Sequence, residues 1–394
     1  MVFLILSIFM GLTILGIRHE QNTEETVSEE IVEAVMVPDT FKSYVKNKFD
    51  VPEEIMETII SYLDCYYESM YLLEMTDMEE LFANELSYAI SYDSIRLMIE
   101  QRKLLEDNFS LLDSSYYDIY ITGYEYDDGI YEVDFIEDDT MYFSCLEEIE
   151  SKAVNIENTI CLELIDGQYK IVAYDKQQGY YQVFAEAKST EEADALYEEY
   201  YEELKRLAEE DILLKSEALQ NPYLSDKTYN HAYDRDSAID YADKYYEDRN
   251  DEYNDFGDEG GNCQNYASQV IYAGGIEMDY EGRDQWKYYG YSLNDRNEKK
   301  GRSKSWVSVS DFYDYAIREE KEGVVCAADI NIYYAEAGDV IQVGYDTYSH
   351  STIVSAVVNQ HILLNSNTVD LKNYPLEVYT CPLRRLIKIL GYNS

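Results

Sequence analysis

The chain predicts an α+β fold, on three observations. Ile55, Ile59, Tyr62, Leu63, Tyr66, Met70 and Leu73 recur at steps of three and four, the apolar stripe of an amphipathic helix. From residue 116 the period drops to two, the alternation of half-buried strands. After a highly charged helical stretch a second region begins, in which a cysteine at a loop–helix junction precedes a histidine at the start of a strand.

The elements follow in order. Residues 1–17 carry no charged side chain and are followed by Arg18-His19-Glu20. Residues 1–19 therefore read as a signal peptide or an N-terminal membrane anchor, placing the rest outside the cytoplasm, secreted or at the cell surface. Residues 20–37 form an acidic spacer. The first domain spans 38–187. Its helical part runs to residue 112, and Val51-Pro52-Glu53-Glu54 marks a helix start. An antiparallel meander follows. Asp127-Asp128-Gly129 and Asp166-Gly167 supply hairpin turns between alternating runs such as Ile130-Tyr131-Glu132-Val133-Asp134-Phe135. Residues 188–226 form a charged helical connector with a narrow apolar stripe, Leu196, Tyr200, Leu204 and Leu207, ended by Asn221-Pro222. The last domain covers 227–394.

Composition narrows the functional classes. The 394 residues carry a net charge of −49 and a pI near 4.2, a surface that repels phosphates and argues against a nucleic-acid partner. Six cysteines, at 65, 145, 161, 263, 326 and 381, show no Cys-x-x-Cys spacing, so neither a disulfide framework nor a zinc site is indicated. No metal or organic cofactor is expected. The acidic run 252–259 departs from the spacing of a calcium loop and reads as solvated.

Chemistry concentrates at Cys263. Gly260-Gly261-Asn262 leads into it, and Ala267, Val270 and Ile271 continue at helical spacing to Gly274-Gly275. A thiol in the first helical turn feels partial positive charge and unpaired N–H groups, which lower its pKa and can stabilise an oxyanion. Among the four histidines, His231 reads as an exposed loop residue and His19 borders the apolar segment. His350 opens a strand, paired through a hairpin with Asp339-Val340-Ile341-Gln342-Val343, and suits a general base. An orienting group for the imidazole is available in Asn365 or Asn367 on the next strand. Trp286, among Tyr288, Tyr289 and Tyr291, is a candidate for lining a substrate groove, whereas Trp306 reads as packing.

Several stretches of residues 228–394 resemble the bacterial Putative amidase domain family. They are Tyr229-Asn230-His231-Ala232-Tyr233, Gly261-Asn262-Cys263-Gln264-Asn265-Tyr266-Ala267-Ser268-Gln269, Ala337-Gly338-Asp339-Val340-Ile341, Ser349-His350-Ser351 and Asn373-Tyr374-Pro375-Leu376. The resemblance implies a papain-like fold, related to the NlpC/P60 and CHAP groups. It also implies an amide hydrolase with Cys263 as nucleophile and His350 as base, acting on cell-wall peptide or another extracellular amide. Two positions depart from the family: Asn262 stands where an acid is usual, and Asn367-Thr368 where His-Thr is usual. Asn367 is then the residue expected to orient His350. The competing expectation is a non-catalytic surface binding module on the same fold.

Overall fold

The computed structural model describes residues 42–394 except 108, 147 and 319–321. The first half contains β1 (Lys42–Lys46), α1 (Glu53–Leu72), α2 (Glu85–Leu104), β2 (Tyr116–Asp127), β3 (Ile130–Tyr142), β4 (Glu150–Ile165), β5 (Gln168–Lys176), α3 (Tyr181–Phe184) and α4 (Thr190–Gln220). The second half contains β6 (His231–Ala232), α5 (Arg235–Tyr245), α6 (Cys263–Ala273), β7 (Tyr288–Tyr289), β8 (Gly301–Arg302) and α7 (Val309–Ala316). It continues with β9 (Gly323–Ala328), β10 (Val340–Gly344), β11 (Tyr348–Val358), β12 (His361–Ser366), β13 (Asp370–Pro375) and β14 (Leu383–Asn393). The described part is thus mixed α+β, with seven α-helices and a large, mostly antiparallel sheet.

Local chemistry accounts for most boundaries. The Asn84 side chain accepts from the Ser87 N–H at the start of α2, and Ser189 accepts from the Glu192 N–H at the start of α4. The two meander hairpins turn at Asp128-Gly129 and Asp166-Gly167, all four at positive φ, where Asp and Gly are tolerated. Residues 42–46 fall in the stretch expected to be helical, yet they form an edge strand parallel to β2, with Lys42 opposite Tyr116 and Lys46 opposite Tyr120. Five residues are too few to carry a helical period, and the free edge of β2 decides their conformation.

The sheet crosses the expected domain boundary. Strand order is β1-β2-β3-β4-β13-β12-β11-β10-β14-β6, with β5 also on β4 and β9 also on β14. The two halves join where β4 pairs with β13: Val154 opposite Asp370, Ala153 opposite Leu371, Lys152 opposite Lys372. Helices α1, α2 and α4 cover the upstream sheet around Ile59, Tyr62, Ile95, Ile119, Val133 and Ile160. In the downstream half, α5, α6 and α7 pack Ala238, Ala267, Val270, Ile271 and Phe312 on Val340, Ile353, Ile387 and Ile389. The opposite sheet face buries Ile341, Val343, Val354, Ile362, Leu364 and Leu386.

The location expected from residues 1–17 is corrected. Among the described residues no helix is long and apolar enough to cross a membrane. Residues 1–17 lie outside the described residues, so no anchor segment is shown, and the secreted or cell-surface assignment loses its footing.

Helix α4 does more than connect. Its Asp211 receives both guanidinium nitrogens of Arg384 on β14, each at 2.9 Å, with the Asp211 and Arg384 side chains only 8% and 10% exposed. Its Leu214 carbonyl accepts from the Asn331 side chain at 2.8 Å. Truncating Asp211 would strand a buried charge, which typically costs about 3–5 kcal/mol. Asp211→Ala should therefore lower the denaturant midpoint strongly, and Asp211→Ala with Arg384→Met should recover most of the loss. Urea unfolding followed by circular dichroism reads both, and an unchanged midpoint for Asp211→Ala would refute the clamp.

Candidate functional site

The site forms where α6 begins beside β11. Gly260 and Gly261 both take positive φ, 111° and 116°, conformations that side chains beyond glycine rarely adopt, and they bring the chain sharply into Cys263. The polar side chains of the cysteine motif then lock the helix down. Asn265 donates to the Asn254 carbonyl (3.0 Å) and to Asn262 Oδ1 (2.8 Å), and accepts from the Trp306 indole (2.9 Å). Ser268 donates to the Trp306 carbonyl (2.8 Å) and accepts from the Trp286 indole (3.1 Å). Gln269 accepts from the Tyr241 hydroxyl (2.6 Å). Gln264 accepts from the Ser351 hydroxyl on β11 (2.7 Å). The motif is thus mainly a helix clamp, with the cysteine at its head. Asp339 of the Ala-Gly-Asp stretch is likewise structural: fully buried, it pairs with Arg235 at 2.9 Å and accepts the Ile389 N–H at 3.0 Å.

Strand direction places the thiol against β11. The Val354 N–H donates to the Asp339 carbonyl on the β10 side. Alternation along a strand turns the Ser351 N–H the other way, toward β12, whose ladder with β11 ends at Ile353 opposite Asn365. The Cys263 thiol feels the Ser351 N–H, together with the N–H groups of Gln264 and of Cys263 itself. His350 is the residue preceding Ser351 and stands opposite Val343 on β10. Tyr379 marks the same spot: its ring stacks on His350, centroids 6.4 Å apart and planes at 23°, and its phenol is pushed well up, chiefly by burial. Sequence reasoning passed over Tyr379, since no local pattern around it points to Cys263.

The electrostatics correct one expectation. Cys263 is only 6% exposed, and burial raises its thiol above the usual value, against the lowering effect of three N–H donors. Burial pushes the His350 imidazolium down to about 4. Its Nε2 is buried without a hydrogen-bond partner among the described residues. At neutral pH the pair rests as thiol and neutral imidazole, not as thiolate and imidazolium. All six cysteines are free, and burial raises every thiol; Cys263 alone is opposed by N–H donors from another element.

Asn367 is placed differently from the sequence-based expectation. It follows β12 in a turn, not on the strand. Its Oδ1 accepts from the Asn262 side chain at 2.7 Å, and its Nδ2 donates to the carbonyls of Tyr245, Tyr246 and Asp248. With these bonds made, its side chain holds the loop before Cys263 and not the imidazole. Asn365 is also engaged elsewhere, donating to Asp243 (2.8 Å) and accepting from the Asn373 N–H (2.8 Å). Trp286 is fully buried in the core with Trp306, so it lines no groove, while Tyr289 beside it is exposed. His231 is exposed and stacks on Tyr392, centroids 4.6 Å apart.

Comparison with known proteins bears on this part of the chain. The Uncharacterized protein YhbB of Bacillus subtilis (strain 168) is 29% identical over 145 residues, which are 35% of this chain and 42% of that protein. The chain thus covers less than half the length of this relative. No solved structure matches. Residues 232–389, which contain Cys263 and His350, match the model of the Putative amidase domain family.

Proposed function

We propose that residues 227–394 form a papain-like cysteine hydrolase of amide bonds, with Cys263 as nucleophile and His350 as general base. The observation that supports this reading is the effect of the Ser351 N–H on the Cys263 thiol, since Ser351 follows His350 directly on β11. The imidazole removes the thiol proton as sulfur attacks the amide carbonyl. During attack the Cys263 and Gln264 N–H groups at the start of α6 turn from the sulfur to the developing oxyanion. The C–N bond breaks, the amine leaves with the proton from His350, and water then hydrolyses the thioester with His350 again as base. Asn367 serves as a positioning residue through Asn262. The substrate is a peptide-type amide, of which a cell-wall peptide is the example that the family resemblance implies.

Acylation tests the reading without knowledge of the natural substrate. Incubation with p-nitrophenyl acetate should add one acetyl group at Cys263, located by mass spectrometry of the digest. His350→Ala should slow this by about 10²–10⁴-fold, the usual share of a general base. Equal, slow acetylation of all six thiols, indifferent to His350, would favour a binding module instead.

The pH dependence follows from burial. The base acts when neutral, and its conjugate acid is depressed to about 4 because the buried site disfavours the imidazolium. Acylation of Cys263 should hold its rate from pH 7 down to 5 and fall to half near 4. A midpoint at 6.5 or higher in the pH profile of acetyl-Cys263 formation would sink the neutral-pair reading.

A further inference from the structure

We propose that a tyrosine-walled cleft at the far end of α6 binds alkylammonium groups. The cleft measures about 750 Å³ and is lined by Tyr253, Tyr272, Tyr280, Tyr288 and Tyr289, with the carboxylates of Glu252 and Glu277. It is distinct from the thiol site: Tyr272 lies on α6 nine residues after Cys263, about 14 Å along the axis at 1.5 Å per residue.

Three features select a cation. The rings meet at angles and so form walls, not a flat stack: Tyr253 and Tyr288 have centroids 5.1 Å apart at 51°, and Tyr280 and Tyr289 6.5 Å apart at 78°. An ammonium group is attracted to the negative face of such a ring, and the Tyr280 face is the one shown to take a cation. Tyr288 is fixed by donating to Asn254 at 2.7 Å, while Tyr272 and Tyr289 are 42% and 40% exposed and keep accessible surface. The local field is negative as well. The Tyr253 and Tyr289 phenols are both raised, first by burial and then by neighbours that include Tyr272, with Glu252 acting on Tyr253 and Glu277 on Tyr289. Finally, the chain already places a cation here, since Lys299 Nζ lies 4.9 Å from the Tyr280 ring centroid. A neutral sugar would use the rings and could donate hydroxyls to the two carboxylates, but only a cation gains from their charge.

This site stands whether or not Cys263 cleaves anything, so its test is separate from the hydrolase tests. The full chain with Cys263→Ala, which prevents turnover, is titrated calorimetrically at low salt with Nα-acetyl-lysine methylamide and with its neutral norleucine analogue. The lysine compound should bind about tenfold more tightly. Glu277→Gln and Tyr272→Leu should each weaken it several-fold, Tyr272→Phe should retain it because the ring face persists, and Lys299→Met should strengthen it by freeing the Tyr280 face. Equal affinity for the two compounds, no binding of either, preference for N-acetylglucosamine, or indifference to Glu277→Gln and Tyr272→Leu would each overturn the proposal. Unchanged melting curves for the variants exclude unfolding as the cause of any loss.

Discussion

The contact between the Cys263 sulfur and the Ser351 N–H is the constraint on which the site rests. β11 runs beyond the last residue that β12 pairs with, so the Ser351 donor would otherwise be buried and unmet. An unpaired buried donor costs about 1–3 kcal/mol, enough to make some acceptor necessary at that place. The chain leaves the sheet at Asn367 because the Asn367 amide is taken by the carbonyls of Tyr245, Tyr246 and Asp248. That departure opens the space, and the two left-handed glycines aim α6 into it. Strand alternation sends Ser351 and His350 to opposite faces, and Ser351 is the one that faces α6.

Competition between two effects decides the charge state. A helix N-terminus typically supplies about 0.3–1 kcal/mol toward an anion, less than one pKa unit. Full burial can shift a group by about 3–5 units against its charged form. At Cys263 burial wins even against three N–H donors, and at His350, a half-buried residue, desolvation of the ring acts unopposed. Selective chemistry at this cysteine therefore depends on a base acting during attack, and the unpartnered Nε2 of His350 retains the free lone pair or proton that such a transfer uses.

Local features of the fold were legible because their causes are local. Asp-Gly turns fixed both meander hairpins, Gly-Gly fixed the start of α6, and the 340–358 hairpin followed from alternation around Gly344. Strict alternation along β11 breaks after Val354, where a bulge shifts the register and sends Ala356 to the other side. Pairing at long sequence separation was not legible: nothing in residues 152–154 announces that residues 370–372 will lie beside them. Asn367 shows the same limit within the site. Its residue type suits an imidazole partner, but its role is set by three carbonyls from a turn more than a hundred positions upstream. Burial at Cys263 was equally invisible, since a loop–helix junction specifies the donors around a thiol and not how much protein covers it.

The joined sheet gives the upstream half a bearing on the nucleophile. Asn155 on β4, held at positive φ, donates from its side chain to Asp370 Oδ2 at 2.9 Å. The other oxygen of Asp370 takes Arg249 at 3.1 Å and the Thr368 N–H at 3.2 Å. The Thr368 hydroxyl in turn accepts the Asn262 N–H at 2.8 Å, one residue before Cys263. Each link is an ordinary hydrogen bond, and together they run from the meander to the start of α6 through buried Asp370, with Asn155 and Thr368 at the surface. A buried carboxylate that collects an upstream amide, a guanidinium and a turn N–H fixes all three relative to one another. The meander is therefore part of what holds the cysteine in register, and separating the halves would remove a wall of the site along with an adjoining domain.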